Sequence, residues 1–198
     1  MTKANSSEEH GYSLIELMVV VALAGILAAI AMPSFVSTIE SNRRNTLSNK
    51  LMGDLALARS QAISLGNSVA LCGDSGAGTP TCVAIPNNNN NVSTWNSGWY
   101  LYVGSAATGN SGLGANTTII RAPQPAPSGW AVDAHLGVLN YVSLNPRSEL
   151  AGVGHFTIYR SGSKTAACVT VSDTGRARAS TASVASGVVG PTSAQDPC

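Results

Sequence analysis

The chain has 198 residues, of which only 11% are charged and 44% are hydrophobic, and its formal net charge at pH 7 is +1. A charge so close to zero excludes a chain-wide basic field of the kind that holds nucleic acid over a whole surface. The low share of charged residues, with abundant Gly, Ser, Thr and Asn, is unusual for a cytosolic enzyme and typical of exported β-rich domains.

An apolar segment begins immediately after Glu16, and the next charged residue is Glu40, which leaves 23 uncharged positions between them. About 20 apolar residues cross the hydrocarbon core of a bilayer as a helix. A charge placed in mid-membrane costs roughly 3 kcal/mol, so Glu16 requires an explanation. Ser13 and Glu16 have the spacing of a capping box, and a carboxylate in the first turn also suits the helix dipole. Alternatively, Glu16 pairs with a positive charge on another subunit.

A second helical segment follows Pro33, which we expect to interrupt or kink the helix because proline lacks the backbone N–H. Beyond it, apolar residues recur at spacings of three and four, which predicts one face packed against a β-sheet. Gly66 is the expected C-terminal stop of the helix. The apolar positions are Leu47, Leu51, Leu55, Ala58, Ala62 and Leu65, and the charged positions predicted for the other faces are Arg43, Arg44, Lys50, Asp54 and Arg59.

Beyond Gly66 the chain consists of short segments rich in Val, Ile, Thr, Tyr and Trp, separated by Gly, Asn and Pro. This pattern is typical of antiparallel strands joined by polar connections, and we predict a long connection over Gly73–Thr94. The fold class is therefore α+β, with a long N-terminal helix packed on an antiparallel β-sheet head. The predicted strands are Ser68–Cys72, Gly98–Val103, Thr117–Arg121, Leu139–Leu144, His155–Arg160 and Ala166–Ser172.

The chain has four cysteines, and an even number in an exported chain suggests two disulfides. Three pairings are possible. We favour Cys72–Cys82 and Cys168–Cys198, because each closes a loop rich in Gly, Pro or Ser. The sequence has no C-x-x-C and no nearby pair of histidines, so we predict no metal site.

The stretch Gly11–Leu17 reads GYSLIEL and closely resembles the type III signal of type IV pilins and type II secretion pseudopilins. The resemblance implies that a prepilin peptidase cuts between Gly11 and Tyr12 and methylates the new amine of Tyr12. It also implies that Glu16 neutralises this amine on a neighbouring subunit, in keeping with the rule that buried charges are paired. Pilins commonly carry a proline at the place of Pro33. The chain departs from the pattern in having Tyr rather than Phe after the cut, and in a leader that is not net basic.

The head shares further motifs with one branch of these proteins. They are Cys72 followed by Gly-Asp-Ser-Gly, then Cys82, Trp95–Trp99, Cys168 with its strand, Gly175–Arg178 and Cys198. Together they resemble the GspH/FimT family of minor pilins and pseudopilins. The resemblance implies a leader peptide over 1–11, a hydrophobic transmembrane and assembly helix over 12–39, an amphipathic helix half over 40–66 and a β-rich globular head over 67–198.

The segment Gly175–Arg178 is the best candidate for an interaction site. Asp173 to Gly175 has the composition of a turn, with Gly free to take a positive φ. If the chain then extends, Arg176 and Arg178 point to the same side, about 6.5 Å apart, and can engage neighbouring phosphates. Taken alone, the pattern also fits an ordinary solvated turn. In FimT-type pilins of naturally competent bacteria a C-terminal GRxR segment binds DNA, so the resemblance implies the same role here.

Two further basic residues, Arg160 and Lys164, are expected near the GRxR segment. Their strand is predicted to pair with Ala166–Ser172. Contacts from two to four basic residues predict weak, strongly salt-dependent binding. No base-reading element is apparent, so little sequence specificity is expected.

The sequence contains no catalytic constellation and implies no cofactor: His135 and His155 are single, and the aspartates form no recognisable pair. We therefore expect a non-enzymatic minor type IV pilin that binds duplex DNA for uptake in natural transformation. The alternatives are a purely structural or priming minor pilin and a type II secretion pseudopilin. The expected partners are other pilins, the prepilin peptidase, the inner membrane before assembly and duplex DNA. The expected location is the inner membrane, with the head in the periplasm, and then the cell-surface pilus.

Overall fold

The computed structural model describes residues 12–83, 92–104, 113, 117–136, 141–145, 154–183 and 198. Within these residues one helix is followed by nine strands, and the fold is α+β as predicted. The elements are α1 (Leu14–Leu65), β1 (Val69–Gly73), β2 (Val92–Thr94), β3 (Trp99–Val103), β4 (Thr118–Arg121), β5 (Trp130–Leu136), β6 (Tyr141–Leu144), β7 (Gly154–Arg160), β8 (Thr165–Val171) and β9 (Ala177–Ser183).

The strands form two antiparallel sheets. The first has four strands in the order β4-β3-β1-β6, and the second has five in the order β2-β5-β7-β8-β9. In the second sheet, β7, β8 and β9 follow one another as a meander, and β9 lies at the edge among the strands that the structure describes. This edge carries the candidate interaction residues.

The core of the unit Asn42–Cys198 lies between the helix and both sheets. Leu51, Ala58 and Ala62 of α1 are fully buried, in the same cluster as Leu71 of β1 and Phe156 of β7. The predicted apolar face of the helix is therefore confirmed except at its end. Leu65 is 51% exposed, because the helix ends there and Gly66, with φ 61°, turns the chain away.

Two charged helix residues, Arg44 and Asp54, are buried, so the prediction that they lie away from the packed surface was wrong. Asp54 accepts a hydrogen bond from Trp99 Nε1 and forms an ion pair with Arg121. Arg44 donates a hydrogen bond to Thr165 Oγ1. Buried charges are tolerated when they are paired in this way, and these partners lie far away in the sequence.

Helix α1 begins after Ser13, whose carbonyl oxygen accepts hydrogen bonds from the N–H groups of Glu16 and Leu17. The helix continues through Pro33, so the expected interruption is not a break in the helix. A proline removes one backbone hydrogen bond, but its fixed φ is compatible with helical geometry. By length and composition, α1 is able to cross a membrane, with a mean hydropathy of 2.7 over its most apolar window.

The predicted strands correspond to β1, β3, β4, β6, β7 and β8, with ends that differ by one or two residues. Three strands were not predicted. The short β2 lies inside the connection expected over Gly73–Thr94, so the prediction extended this connection too far at its C-terminal end. β5 and β9 fall in segments for which the sequence predicted no strand.

Both disulfides join the cysteines in the favoured pairing. Cys72 is bonded to Cys82 with a Cα–Cα distance of 5.5 Å, and Cys168 is bonded to Cys198 with a Cα–Cα distance of 5.7 Å. The first disulfide packs with Tyr100 in a small cluster separate from the main core. The second fixes the last residue of the chain to the middle of β8.

Candidate nucleic-acid interface

The hairpin between β8 and β9 holds the GRxR segment in a fixed conformation. The N–H of Gly175 donates to Ser172 O at 2.8 Å, and the N–H of Ser172 donates to Arg176 O at 3.0 Å. Gly175 has φ 68°, so this is a three-residue turn with glycine in the left-handed region, as hairpins of this length require. The N–H of Thr174 also donates to Asp173 Oδ1 at 2.8 Å, which restricts the turn further.

Arg176 and Arg178 project from the same side of the chain. Both are exposed, whereas Ala177 between them packs against the main core. Side chains alternate along an extended segment, so the two guanidinium groups share the side that faces away from the core. This is the arrangement that the sequence predicted for an extended GRxR segment. Neither arginine forms an ion pair with another residue in the part of the chain that the structure describes.

A third arginine, Arg59, belongs to the same region. A groove of about 390 Å³ between α1 and the hairpin is lined by Met52, Ala56 and Arg59 of the helix and by Gly175–Arg178. The sequence analysis assigned Arg59 no role at this site. A usable signal was present, because Met52, Ala56 and Arg59 are spaced by four and three residues and so share one helical face.

The strand register extends from Arg178 across the outer face of the second sheet. Arg178 is opposite Thr170 of β8, Thr170 is opposite His155 of β7, and His155 is opposite His135 of β5. Residues that are directly opposite in antiparallel strands point to the same face. The four side chains therefore form one cross-strand row. Arg178 and Thr170 are exposed, His155 is half-buried and His135 is only 5% exposed.

The two histidines of this row are stacked, with ring centroids 4.7 Å apart and ring planes 9° from parallel. The sequence analysis treated each of them as a single residue. In the fold they are neighbours, because β5 and β7 are adjacent strands, and this pairing cannot be read from the local sequence. Within the described residues no group of three or more His, Cys, Asp or Glu side chains is arranged to hold a metal ion.

Arg160 and Lys164 do not join this cluster, so the expectation that they lie near it was wrong. β7 and β8 do pair as predicted, but Lys164 lies in the turn between them, beside Thr165. Arg178 is opposite Thr170, five residues further along β8. At about 3.3 Å per residue, Thr165 and Thr170 are about 17 Å apart. The β7–β8 turn and the β8–β9 turn necessarily lie at opposite ends of an antiparallel meander.

A buried acid lies on the same outer face of the second sheet. Asp133 is 1% exposed, and its Oδ2 accepts a hydrogen bond of 2.8 Å from the hydroxyl of Tyr159. Burial raises the pKa of Asp133 to about 6, and the hydrogen bond from Tyr159 opposes this shift. Burial, together with the nearby Asp133 carboxylate, raises the pKa of Tyr159. The sequence analysis found no partner for Asp133, whereas the sheet provides one on the neighbouring strand.

The predicted processing and assembly residues lie at the start of the chain. Tyr12 is 82% exposed and Glu16 is exposed in the first turn of α1. Gly11 and the rest of the predicted leader lie outside the described residues. Pro33 has a helical backbone. The cleavage, the methylation and the roles of Glu16 and Pro33 in assembly stay predictions.

Two family descriptions match the chain. Residues 47–175 match the family described as type II transport protein GspH, and residues 7–32 match the prokaryotic N-terminal methylation motif. The first match covers well over half of the chain and ends at Gly175, immediately before the two arginines.

Individual proteins are also similar to the chain. A probable minor fimbrial protein of Dichelobacter nodosus is 29% identical over 127 residues, which is 63% of this chain and 69% of the relative. The type IV minor pilin FimU of Pseudomonas aeruginosa in one crystal form is 16% identical, with a TM-score of 0.49 over 71% of this chain and 90% of that one. In a second crystal form it gives 16% identity and a TM-score of 0.45, over 69% and 91% of the two chains.

Proposed function

The chain belongs to the GspH family of type II transport proteins, and from that premise we propose that it is a minor type IV pilin whose head binds duplex DNA through Arg176 and Arg178. With the N-terminal methylation motif, membership of this family makes the chain a minor pilin or pseudopilin, a subunit that assembles with other pilins in a fibre. The apolar helix suggests anchoring in a membrane before assembly. DNA binding, and a role in natural transformation, are the further step of the proposal.

One observation carries the DNA-binding proposal. The hairpin holds Arg176 and Arg178 exposed on one side of the chain at an edge strand, and the half-buried Ala177 between them packs against the core. Arginine donors on a rigid frame suit phosphate groups, because little side-chain and backbone freedom is lost on contact. Asp173 in the same turn is the nearest opposing charge in the sequence, and one carboxylate leaves the segment net positive.

The expected binding is electrostatic and independent of base sequence. With Arg176, Arg178 and Arg59 contacting phosphates, the slope of log K against log salt would be about −2 to −3. These proposed contacts are made to phosphates, which carry no sequence information directly, so specificity for sequence is not expected. Several copies on one fibre would raise the effective affinity for a long DNA molecule.

A direct binding measurement tests the proposal. The full chain in a non-ionic detergent is titrated into a labelled 30-base-pair duplex at low and moderate salt. The double variant Arg176→Ala/Arg178→Ala should lose binding. The matched control is Arg160→Ala/Lys164→Ala, which removes two positive charges from the opposite end of β8 and should bind nearly as well as the unaltered chain. Equal losses in both variants, or none in either, would reject the GRxR site.

For assembly, we propose that a prepilin peptidase cleaves between Gly11 and Tyr12 and that Glu16 neutralises the methylated amine of a neighbouring subunit. The prepilin would lie in the inner membrane with its head in the periplasm, and the processed subunit would enter a cell-surface pilus. Glu16→Ala should block incorporation into fibres and leave the head folded, because Glu16 is exposed and does not belong to the unit Asn42–Cys198 that forms the head. Normal incorporation of Glu16→Ala would remove this role.

A structural function without DNA is the second candidate, and the description of the matching family as a type II transport protein favours its pseudopilin form. If the full chain does not bind the duplex even at low salt, this candidate replaces the first. That outcome would also be compatible with a purely structural or priming minor pilin. Crosslinking to neighbouring pilins would then distinguish such a minor pilin from a pseudopilin.

A further inference from the structure

The cross-strand row beside the GRxR segment has the chemistry of a phosphate track. It begins with the exposed guanidinium of Arg178, continues with the hydroxyl of Thr170 and reaches the half-buried imidazole of His155. Arginine and hydroxyl side chains are among the groups that contact nucleic-acid backbones most often, and the imidazole ring of His155 also carries an N–H donor. Two strand spacings separate Arg178 from His155, a distance of about 10 Å, so the side chains can reach different phosphates.

We propose that the DNA-binding surface extends from Arg178 across Thr170 to His155, and that protonation of His155 strengthens DNA binding in acid. This inference rests on the proposed function and adds to it one further contact residue and a dependence on pH. Imidazole is the side chain that ordinarily changes charge between pH 5 and 8. A protonated His155 would add an imidazolium cation to a surface that already holds the guanidinium groups of Arg176 and Arg178.

The groups that face His155 come from four strands of the second sheet. On β5, His135 is stacked on it, and Asp133 is the next residue on the same face. On its own strand the same face continues with Thr157 and Tyr159. The hydroxyl of Tyr159 donates a hydrogen bond to Asp133. On β8 the facing residue is Thr170, and on β9 it is Arg178.

A phosphate laid along the row would lie on its exposed side, beside Arg178 and Thr170, and would place a negative charge next to His155. Binding and protonation should therefore be coupled, and each should promote the other.

The test compares the full chain in a non-ionic detergent at pH 8.0 and pH 5.5, at constant ionic strength, with a labelled 30-base-pair duplex as probe. The unaltered chain should bind roughly 3- to 10-fold more tightly at pH 5.5. The slope of log K against log salt should also be steeper by about 0.9 there, since one added cation neutralises one more phosphate. A group that acts only on folding would not change this slope.

Two variants of His155 identify the group that titrates. His155→Gln keeps a polar side chain but cannot become cationic, so it should bind at both pH values with the affinity of the unaltered chain at pH 8.0. His155→Lys is cationic at both pH values and should bind tightly at both. Because one variant abolishes the acid effect and the other makes it permanent, a simple loss of folding cannot reproduce the pair of results.

The failures are distinguishable. If the unaltered chain binds at pH 8.0 but gains nothing at pH 5.5, the inference is wrong and the GRxR proposal stands. If His155→Gln keeps the full acid effect, the titrating group is another one, such as the buried Asp133, and the inference is again wrong. If the unaltered chain binds at neither pH, both the inference and the proposed function fall.

Discussion

Asp54 Oδ2 accepts a hydrogen bond of 2.8 Å from Trp99 Nε1, and this contact joins helix α1 to strand β3 inside the core. The other carboxylate oxygen pairs with Arg121 of β4. Lys50, one turn earlier on the helix, lies over the Trp99 ring with its Nζ 4.8 Å from the centroid. A helix and two strands of the first sheet are thus connected by one carboxylate.

Removal of this carboxylate should destabilise the head. Asp54→Ala leaves the buried indole N–H without an acceptor and breaks the ion pair, which we expect to cost about 2–4 kcal/mol. Asp54→Asn keeps an oxygen for the indole and loses only the charge, with an expected cost of about 1–2 kcal/mol. Urea unfolding followed by tryptophan fluorescence measures both variants. Equal costs for Ala and Asn would show that the hydrogen bond to Trp99 contributes nothing.

The buried Asp133 should make stability depend on pH. Its pKa is raised from 3.8 to about 6, so the folded state holds this proton more tightly than the unfolded chain does. The free energy of unfolding should therefore fall as the pH rises from about 4 to about 6, by about 3 kcal/mol from this group alone, and should change little above pH 7.

The variant Asp133→Asn isolates that contribution. Asparagine stays neutral and still offers an oxygen to the Tyr159 hydroxyl, so the variant should be more stable than the unaltered chain at pH 7 and nearly equal at pH 4. Denaturant unfolding at a series of pH values gives the difference curve between the two proteins. If the difference in the free energy of unfolding between the two proteins did not change with pH, the raised pKa of Asp133 would be contradicted.

Asp173 should weaken DNA binding at the hairpin. Its carboxylate caps the N–H of Thr174 and lies three residues from Arg176 on an exposed turn. Asp173→Asn keeps an oxygen for that cap and removes one negative charge, so binding to the duplex should become about 2- to 3-fold tighter at low salt. The gain should vanish at high salt. A gain that persists unchanged at high salt would mean that the turn has changed its shape.

Gly98 should be far less tolerant of substitution than Gly78. Both have a positive φ, 95° and 76° respectively, but a Cβ at Gly98 would lie 2.6 Å from the backbone of Gln124, whereas a Cβ at Gly78 would meet nothing within 4 Å. Gly98→Ala should cost roughly 2–4 kcal/mol, and Gly78→Ala about 1 kcal/mol. Thermal or urea unfolding of the two variants separates the cost of the steric clash at Gly98 from the cost of the positive φ, which both positions share. Similar costs would mean that the Gln124 backbone moves freely.

The strands that the sequence failed to predict share a physical cause. In β5, Val132 and Ala134 face the core while Asp133 and His135 alternate with them, so the period of two was present. The sequence analysis missed this alternation because polar residues such as Asp133 and His135 are unusual at buried positions, even on the face of the sheet that points away from the main core. β9 has the composition of a loop, and it is a strand only because all seven of its residues pair with β8.

The candidate site was only partly predictable, because some of its residues are placed by local chemistry and others by long-range pairing. The turn over Asp173–Gly175 and the shared side of Arg176 and Arg178 follow from local chemistry. The contributions of Arg59 and His155 depend on which helix face meets the hairpin and on the order of strands in the sheet. Such long-range pairings are set by packing of the whole core and leave little trace in neighbouring residues.

The bond between Cys168 and Cys198 closes a covalent ring that contains the hairpin, Arg176, Arg178 and all of β9. A single proteolytic nick anywhere between those two cysteines would open the ring but release nothing. The cut piece would remain attached through the sulfur atoms, and the nicked chain would separate only under reducing conditions. In an extracellular setting rich in proteases, the arginine-bearing edge would thus remain joined to its sheet after damage that would detach an ordinary C-terminal segment.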